Sequence, residues 1–157
     1  MDLDNARRSG PGPRHSVELD RAEALALLAR VSFGRVVFTQ HALPTVRPVS
    51  HVLDGEDIVF RTHEGSALTS RTRTGTAQGV VVAYEADVID PDTHLGWSVV
   101  ITGFAQLVDD PEELTHYRAL LRPWVKQGLD YAVRIRPDLV TGIRLTEAVP
   151  AVDDRAS

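Results

Sequence analysis

The chain has 157 residues, enough for one domain with a single buried core. With 43% hydrophobic and 25% charged residues its composition is that of a globular protein, and no apolar run reaches the roughly 18 residues that a membrane helix requires. A net charge of -5 argues against a general binder of nucleic-acid backbones, and the lack of cysteine excludes disulfides, thiolate nucleophiles and cysteine-ligated metals.

Residues 1–15 mix Gly, Pro, Ser and charge without apolar periodicity, which predicts a disordered arm. No apolar signal segment opens the chain, so a cytoplasmic location is expected. Order is expected from Val17, within one domain spanning 16–148, and residues 149–157 read as a flexible tail. Asp20 and Glu23 match a capping box; Ala22, Leu25, Ala26 and Ala29 then recur at helical spacing, predicting a helix that ends near Val31.

From Phe33 the texture becomes β-branched and aromatic. FGRVVFTQ, TVRPVSHVL and IVFRT read as strands, separated by the turn-like HALP and by DGED, whose Asp54-Gly55 pair favours a tight turn. Pro44 and Pro48 cannot donate to a ladder, so part of the second strand is expected at an edge or a bulge. A short helix is expected near Ser66. GVVVAYEAD reads as a buried strand because its apolar run is nearly continuous. In LGWSVVITGFAQLV, Trp97, Val99, Ile101, Gly103, Ala105 and Leu107 share one face; fourteen residues is long for a strand, and Gly103 is the expected bend. Asp110 and Pro111 open a second amphipathic helix with Leu114, Tyr117 and Leu121 on its buried side, closed by Arg122-Pro123-Trp124. YAVRIRP and LVTGIRL make the last strand or strand pair, interrupted by Pro137. Five to seven antiparallel strands with three short helices suggest a closed or partly closed barrel, since closure removes exposed edges.

The succession GRVVFTQHALPTVRPVSHVLDGEDIVFRTHEGSAL, followed by GWSVVITGFAQLVDD and YAVRIRPDLVTGIRL, resembles the pyridoxamine 5'-phosphate oxidase-like family of the flavin and deazaflavin oxidoreductases. The likeness runs from about Asp20 to Leu145 and rests on an ordered set of motifs. It implies a mainly β fold, a six-stranded antiparallel split β-barrel of the Greek-key, FMN-binding type. It also implies a homodimer with FMN at each of two sites between the subunits, and a flavin-dependent oxidoreductase acting on a small organic substrate. By position in the family pattern, Arg47, Pro48, Val49 and Ser50 would run beside the flavin ring. Arg61, Thr62 and Ser66 would hold the phosphate, Trp97 and Ser98 would approach from the partner chain, and Trp124 would cover the cofactor. No nucleic-acid or membrane partner is implied. One departure stands out: Gly65-Ser66-Ala67 replaces the family's usual Gly-Ser-Lys, so the phosphate-contacting lysine is missing. That departure leaves a deazaflavin, a haem, or no cofactor as alternatives, and with them a non-catalytic binding module or sensor.

Each candidate also has a plainer reading. A phosphate favours guanidinium forks, hydroxyls and the N–H groups of a helix start; alternatively Ser66 is only a helix cap, and Arg61, Arg71 and Arg73 are solvated. The Arg47–Ser50 stretch is a flavin wall, or an edge strand guarded by proline. Trp97 and Trp124 serve as core or interface anchors without any cofactor. The histidines fall in no ligand spacing; His51 and His63 are possible neighbours across a hairpin, able to ligate haem or metal, or simply exposed turn residues. Hydrolase, P-loop and Rossmann signatures do not occur, no residue is marked as a general acid or base, and no metal site is expected.

Overall fold

The computed structural model describes residues 13–63, 68, 79–121 and 130–148. The described chain is mainly β, with strands β1 (Arg14–Glu18), β2 (Phe33–Gln40), β3 (Leu43–Asp54), β4 (Asp57–His63), β5 (Val80–Ile89), β6 (Gly96–Leu107) and β7 (Asp130–Glu147). Among the described residues there are two helices, α1 (Arg21–Ala29) and α2 (Pro111–Leu120). The strands form one antiparallel sheet in the order β1-β7-β4-β3-β2-β5-β6, and a further pairing of β6 with β7 closes the six strands β2 to β7 into a ring.

Local chemistry sets the element ends. The Asp20 side chain accepts the N–H of Glu23 at 2.8 Å and starts α1, while Asp110 accepts from Glu112 ahead of Pro111 and starts α2. The face of α1 differs from expectation: Ala24, Leu25, Leu27 and Leu28 are buried, whereas Ala22, Ala26 and Ala29 are exposed. Leucine buries more apolar area than alanine, so the leucines set the helix's rotation. Strand β1 is a second difference, starting at Arg14 inside the stretch expected to be an arm and running antiparallel to β7 from Arg14↔Glu147 to Glu18↔Ile143. The β2–β3 turn places His41 and Ala42 at φ 51° and 61°, a left-handed pair that suits the twist of a hairpin.

The pairing of β6 with β7 shifts at Gly103. Thr102 pairs with Leu139 and Gly103 with Pro137, so Asp138 is the extra residue of a bulge in β7. A Cβ on Gly103 would collide with the Arg136 carbonyl, so only glycine permits this approach. β7 therefore continues through Pro137 as one strand. The third helix expected near Ser66 lies outside the described residues apart from Leu68, which is helical and buried.

The main core lies inside the ring and includes Leu28, Val36, Phe60, Tyr84, Trp97, Ile101 and Ile135. A second cluster, Val59, Val108, Tyr117, Leu121 and Ala132, lies between α2 and the outward face of β4 and β7. β5 alternates rather than being buried on both sides, with Val82, Tyr84 and Ala86 inward and Val81 60% exposed. The outward face of β5 is not covered by any described element of the chain.

Candidate functional site

β3 divides into two halves. His51–Asp54 pair with β4, from His51↔Phe60 to Asp54↔Asp57. Leu43–Ser50 pair with β2 alone among the described residues. His51 gives its N–H to the Ser32 carbonyl (2.9 Å), so alternation along the strand turns the backbone polar groups of Pro44, Pro48 and Ser50 to the other side. The missing N–H groups of both prolines thus face the side where no ladder forms, which is why this strand tolerates them.

The β3–β4 ladder ends at His51↔Phe60. Continuing that register would place Ser50 across from Arg61 and Val49 across from Thr62. Arg61 and Thr62 remain tied to β7 through Ala132 and Tyr131. Arg61 reaches under the end of α2, where its guanidinium donates to the Leu121 carbonyl. Helix carbonyls at a C-terminus carry partial negative charge, so the group is held in place at that helix end. Its pKa lies below the ordinary arginine value, first through burial and then through the charge of Arg118. Two cations, Arg61 and Arg118, thus lie in the neighbourhood of the α2 C-terminus, whose carbonyls favour positive charge.

Past the last β3–β4 ladder pair, register alone sets Ser50 opposite Arg61 and Val49 opposite Thr62, with Arg47 and Pro48 next along β3. Arg47 is exposed and donates to the Val46 carbonyl at 3.2 Å. Trp97 and Ser98 lie elsewhere. Trp97 pairs with Arg144 on β7, twelve residues from Ala132, the partner of Arg61, which is on the order of 40 Å of strand contour. Trp97 points inward and is 8% exposed, whereas Ser98 lies on the outward face beside Asp87 and Ile143. Ser66 and Trp124 lie outside the described residues, as do Ala67, Arg71 and Arg73.

His51 is the main correction among the histidines. It is 3% exposed, not a turn residue, and both ring nitrogens are engaged. The Leu28 carbonyl, 3.0 Å from Nε2, can only accept, so Nε2 carries the proton and Nδ1 accepts the Tyr84 hydroxyl at 2.5 Å. Burial lowers the pKa of His51 despite the Leu28 contact and raises that of Tyr84, so both groups stay neutral near pH 7. Tyr84 lies over Gly34, where a Cβ would stand 2.5 Å from ring carbons Cε1 and Cζ. His51 is a core pin joining α1, β3 and β5, with no lone pair left for iron, and its ladder partner is Phe60, not His63. The alternation of Val49, His51 and Leu53 along β3 is the sequence signal for its burial.

A second constellation holds α2 to the hairpin of β3 and β4. Arg134 donates to the Tyr117 hydroxyl (2.6 Å) and approaches Glu113 at 3.2 Å and Asp57 at 3.5 Å, while Tyr117 donates to Asp54 at 2.5 Å. Burial raises the Asp57 pKa against the pull of Arg134. This network ties α2, and hence the Leu121 carbonyl, to the strands that carry Arg61. Among the described residues no group of three or more His, Asp or Glu is placed to hold a metal ion.

The antiparallel sheet with its closed ring of six strands sets the class of fold, and residues 20–148 match the pyridoxamine 5'-phosphate oxidase family, to which the chain belongs. It is 49% identical over 141 residues to an uncharacterized protein of Mycobacterium tuberculosis, covering 89% of this chain and 93% of that one. Among solved structures, a Corynebacterium glutamicum protein provisionally named pyridoxamine 5'-phosphate oxidase is 30% identical with a TM-score of 0.68, over 85% of this chain and 96% of that one. The FAD binding protein of Mycobacterium smegmatis is 29% identical with a TM-score of 0.61, over 83% and 98%. No helix among the described residues is long and apolar enough to cross a membrane.

Proposed function

We propose that the protein is a homodimeric split barrel that binds a flavin and passes a hydride or electrons between it and a small organic molecule. The observation that carries this reading is the end of the β3–β4 ladder at His51↔Phe60, next to a guanidinium held by a helix end. In this reading the ring lies along Arg47, Pro48, Val49 and Ser50, and the phosphate end meets Arg61 and Thr62, joined by Ser66. Bound flavin supplies the electron chemistry, and the chain's own groups bind and orient it. Ser98 is the residue of the Trp97–Ser98 pair turned toward a second chain, and Trp124 keeps the covering role that the family pattern gives it. FMN is the expected form; the Mycobacterium smegmatis relative, an FAD binding protein, supports FAD as the second reading.

The dimer is supported by the outward sheet face. Val46, Val37, Ala83, Thr102 and Leu139 lie side by side across β3, β2, β5, β6 and β7, with Val46 50% and Leu139 58% exposed. The next row carries Arg35 and Glu85 between Pro48 and Val100. An apolar row beside charges of both signs is self-complementary under a two-fold axis, which favours a second copy as the occupant.

Flavin fluorescence titrations with FMN, FAD and riboflavin test the site. Arg61→Ala is expected to weaken FMN and FAD by about one to two decades, from the loss of a charge-assisted contact of about 1.5–3 kcal/mol, and to leave riboflavin unchanged. Ala67→Lys is expected to tighten the phosphate-bearing forms. Equal weakening of riboflavin would overturn the phosphate assignment. A chain that binds none of the three, with circular dichroism intact, would overturn the flavin reading.

A further inference from the structure

Glu85 and Asp87 stand two residues apart on the outward face of β5, and one nitrogen of Arg35, Nη1, faces both: 3.0 Å from Glu85 and 3.8 Å from Asp87. Arg35 is their cationic neighbour on β2. Across β6 the partners are Val100 and Ser98, and beyond them on β7 Thr141 and Ile143, none of which titrates near neutrality. On β3 the row ends at Pro48 and Ser50. Two carboxyls therefore share one guanidinium, which is itself half exposed, while Glu85 is only 24% exposed. The group sits beside the apolar row through which a second copy would pack.

We propose that pairing of two chains through this face takes up protons, with Glu85 and Asp87 of each chain sharing one proton once the face is covered. The inference rests on the homodimer proposed above. With every carboxyl ionised, a two-fold pair would enclose two guanidinium and four carboxylate groups, an excess of two negative charges removed from water. Enclosing unneutralised charge is costly, and one proton per chain removes the excess. The separate chain is already poised for this: burial, then hydrogen bonding and charge from Asp87, push the Glu85 carboxyl up to about 7 against the opposing pull of Arg35. A folded value above the unfolded 4.5 means extra protons are bound between the two values, and covering the face raises it further. Association therefore tightens as pH falls through neutrality.

Sedimentation of the full chain at constant ionic strength, at about pH 6 and about pH 8.5, tests the coupling. The dissociation constant is expected to rise by about tenfold or more between them, since each chain contributes about one decade for every pH unit by which pairing raises its Glu85 value. Glu85→Gln, neutral at both values, is expected to associate tightly and equally at both. Ala83→Asp, in the apolar row, is expected to weaken pairing at both and reports on the face itself. If wild type pairs equally well at the two pH values while Ala83→Asp still separates the chains, the proton coupling is overturned and the dimer stands. The coupling is also overturned if Glu85→Gln keeps the wild-type pH dependence. Wild-type chains that stay single at both values overturn the dimer and the coupling together.

Discussion

β2 and β5 present two faces built on opposite principles. Inward, Tyr84 lies over Gly34 and bonds His51 in a sealed neutral pair; outward, their chain neighbours Arg35 and Glu85 form a charged, half-wet pair. Consecutive residues of one strand thus belong to different chemistries, because side chains alternate across the sheet. Inside, a lost partner leaves a polar atom with nothing to bond; outside, water replaces it. The two faces should therefore respond very differently to similar changes.

The largest effect is expected from filling the inner face. Gly34→Val places methyl groups where Tyr84 lies and should cost about 2–3 kcal/mol, read from the urea midpoint. Next is Tyr84→Phe, which leaves His51 Nδ1 buried without a donor and should cost about 1–3 kcal/mol by the same measurement.

The pH responses carry opposite signs. His51 has a folded value below its ordinary 6.5, so the unfolded chain binds more protons below that pH; the stability it contributes is present above 6.5 and lost as pH falls. Between pH 6.5 and about pH 5 that loss is at most about 2 kcal/mol. Glu85, raised to about 7, acts the other way: its contribution is present below 4.5 and lost as pH rises to about 7. Urea midpoints across this range should therefore fall more steeply with acid in Glu85→Gln than in wild type, and should rise with acid in His51→Gln, where the Glu85 contribution is left unopposed. The smallest effect belongs to Arg35→Gln, a change at a pair more than half exposed on the arginine side, expected to cost under about 1 kcal/mol.

What is legible in the sequence is local. Asp20 with Glu23, Asp110 with Pro111 and Asp54-Gly55 act within a few residues, and each stands where the pattern puts it. Gly103 as the place of irregularity is readable because a long alternating strand is disturbed most cheaply at a glycine, and there the β6–β7 register shifts. The edge character of Pro44 and Pro48 is readable too, from the missing donor alone. What escapes a reading of the sequence depends on distant partners. RHSVE has no apolar alternation of its own and becomes β1 only because the end of β7 lies open beside it. The anchoring of Arg61 by Leu121 joins positions 60 residues apart, and no spacing rule reaches that far. His51 reads as a surface residue by type, although its neighbours Val49 and Leu53 already mark its side of the strand as inward. GVVVAYEAD reads as buried on both sides because its outward Val81 and Ala83 are apolar; the outward Glu85 and Asp87 at its end are the mark, in the sequence, that this side is left to solvent by the chain itself.

The pairing of β1 with β7 has a topological consequence. Arg14 and Glu147 face one another across a ladder, a Cα separation of about 5 Å, so entry to and exit from the folded unit coincide. A folded unit whose first and last strands meet can be cut elsewhere and rejoined there by a short linker without redirecting any strand. The exposed turn at His41–Ala42 is the natural place to cut, since it belongs to no ladder and joins two strands whose remaining partners hold them on their own. By the same geometry the unit can be inserted whole into a surface loop of another protein, its two attachment points no wider apart than neighbouring strands of a host sheet.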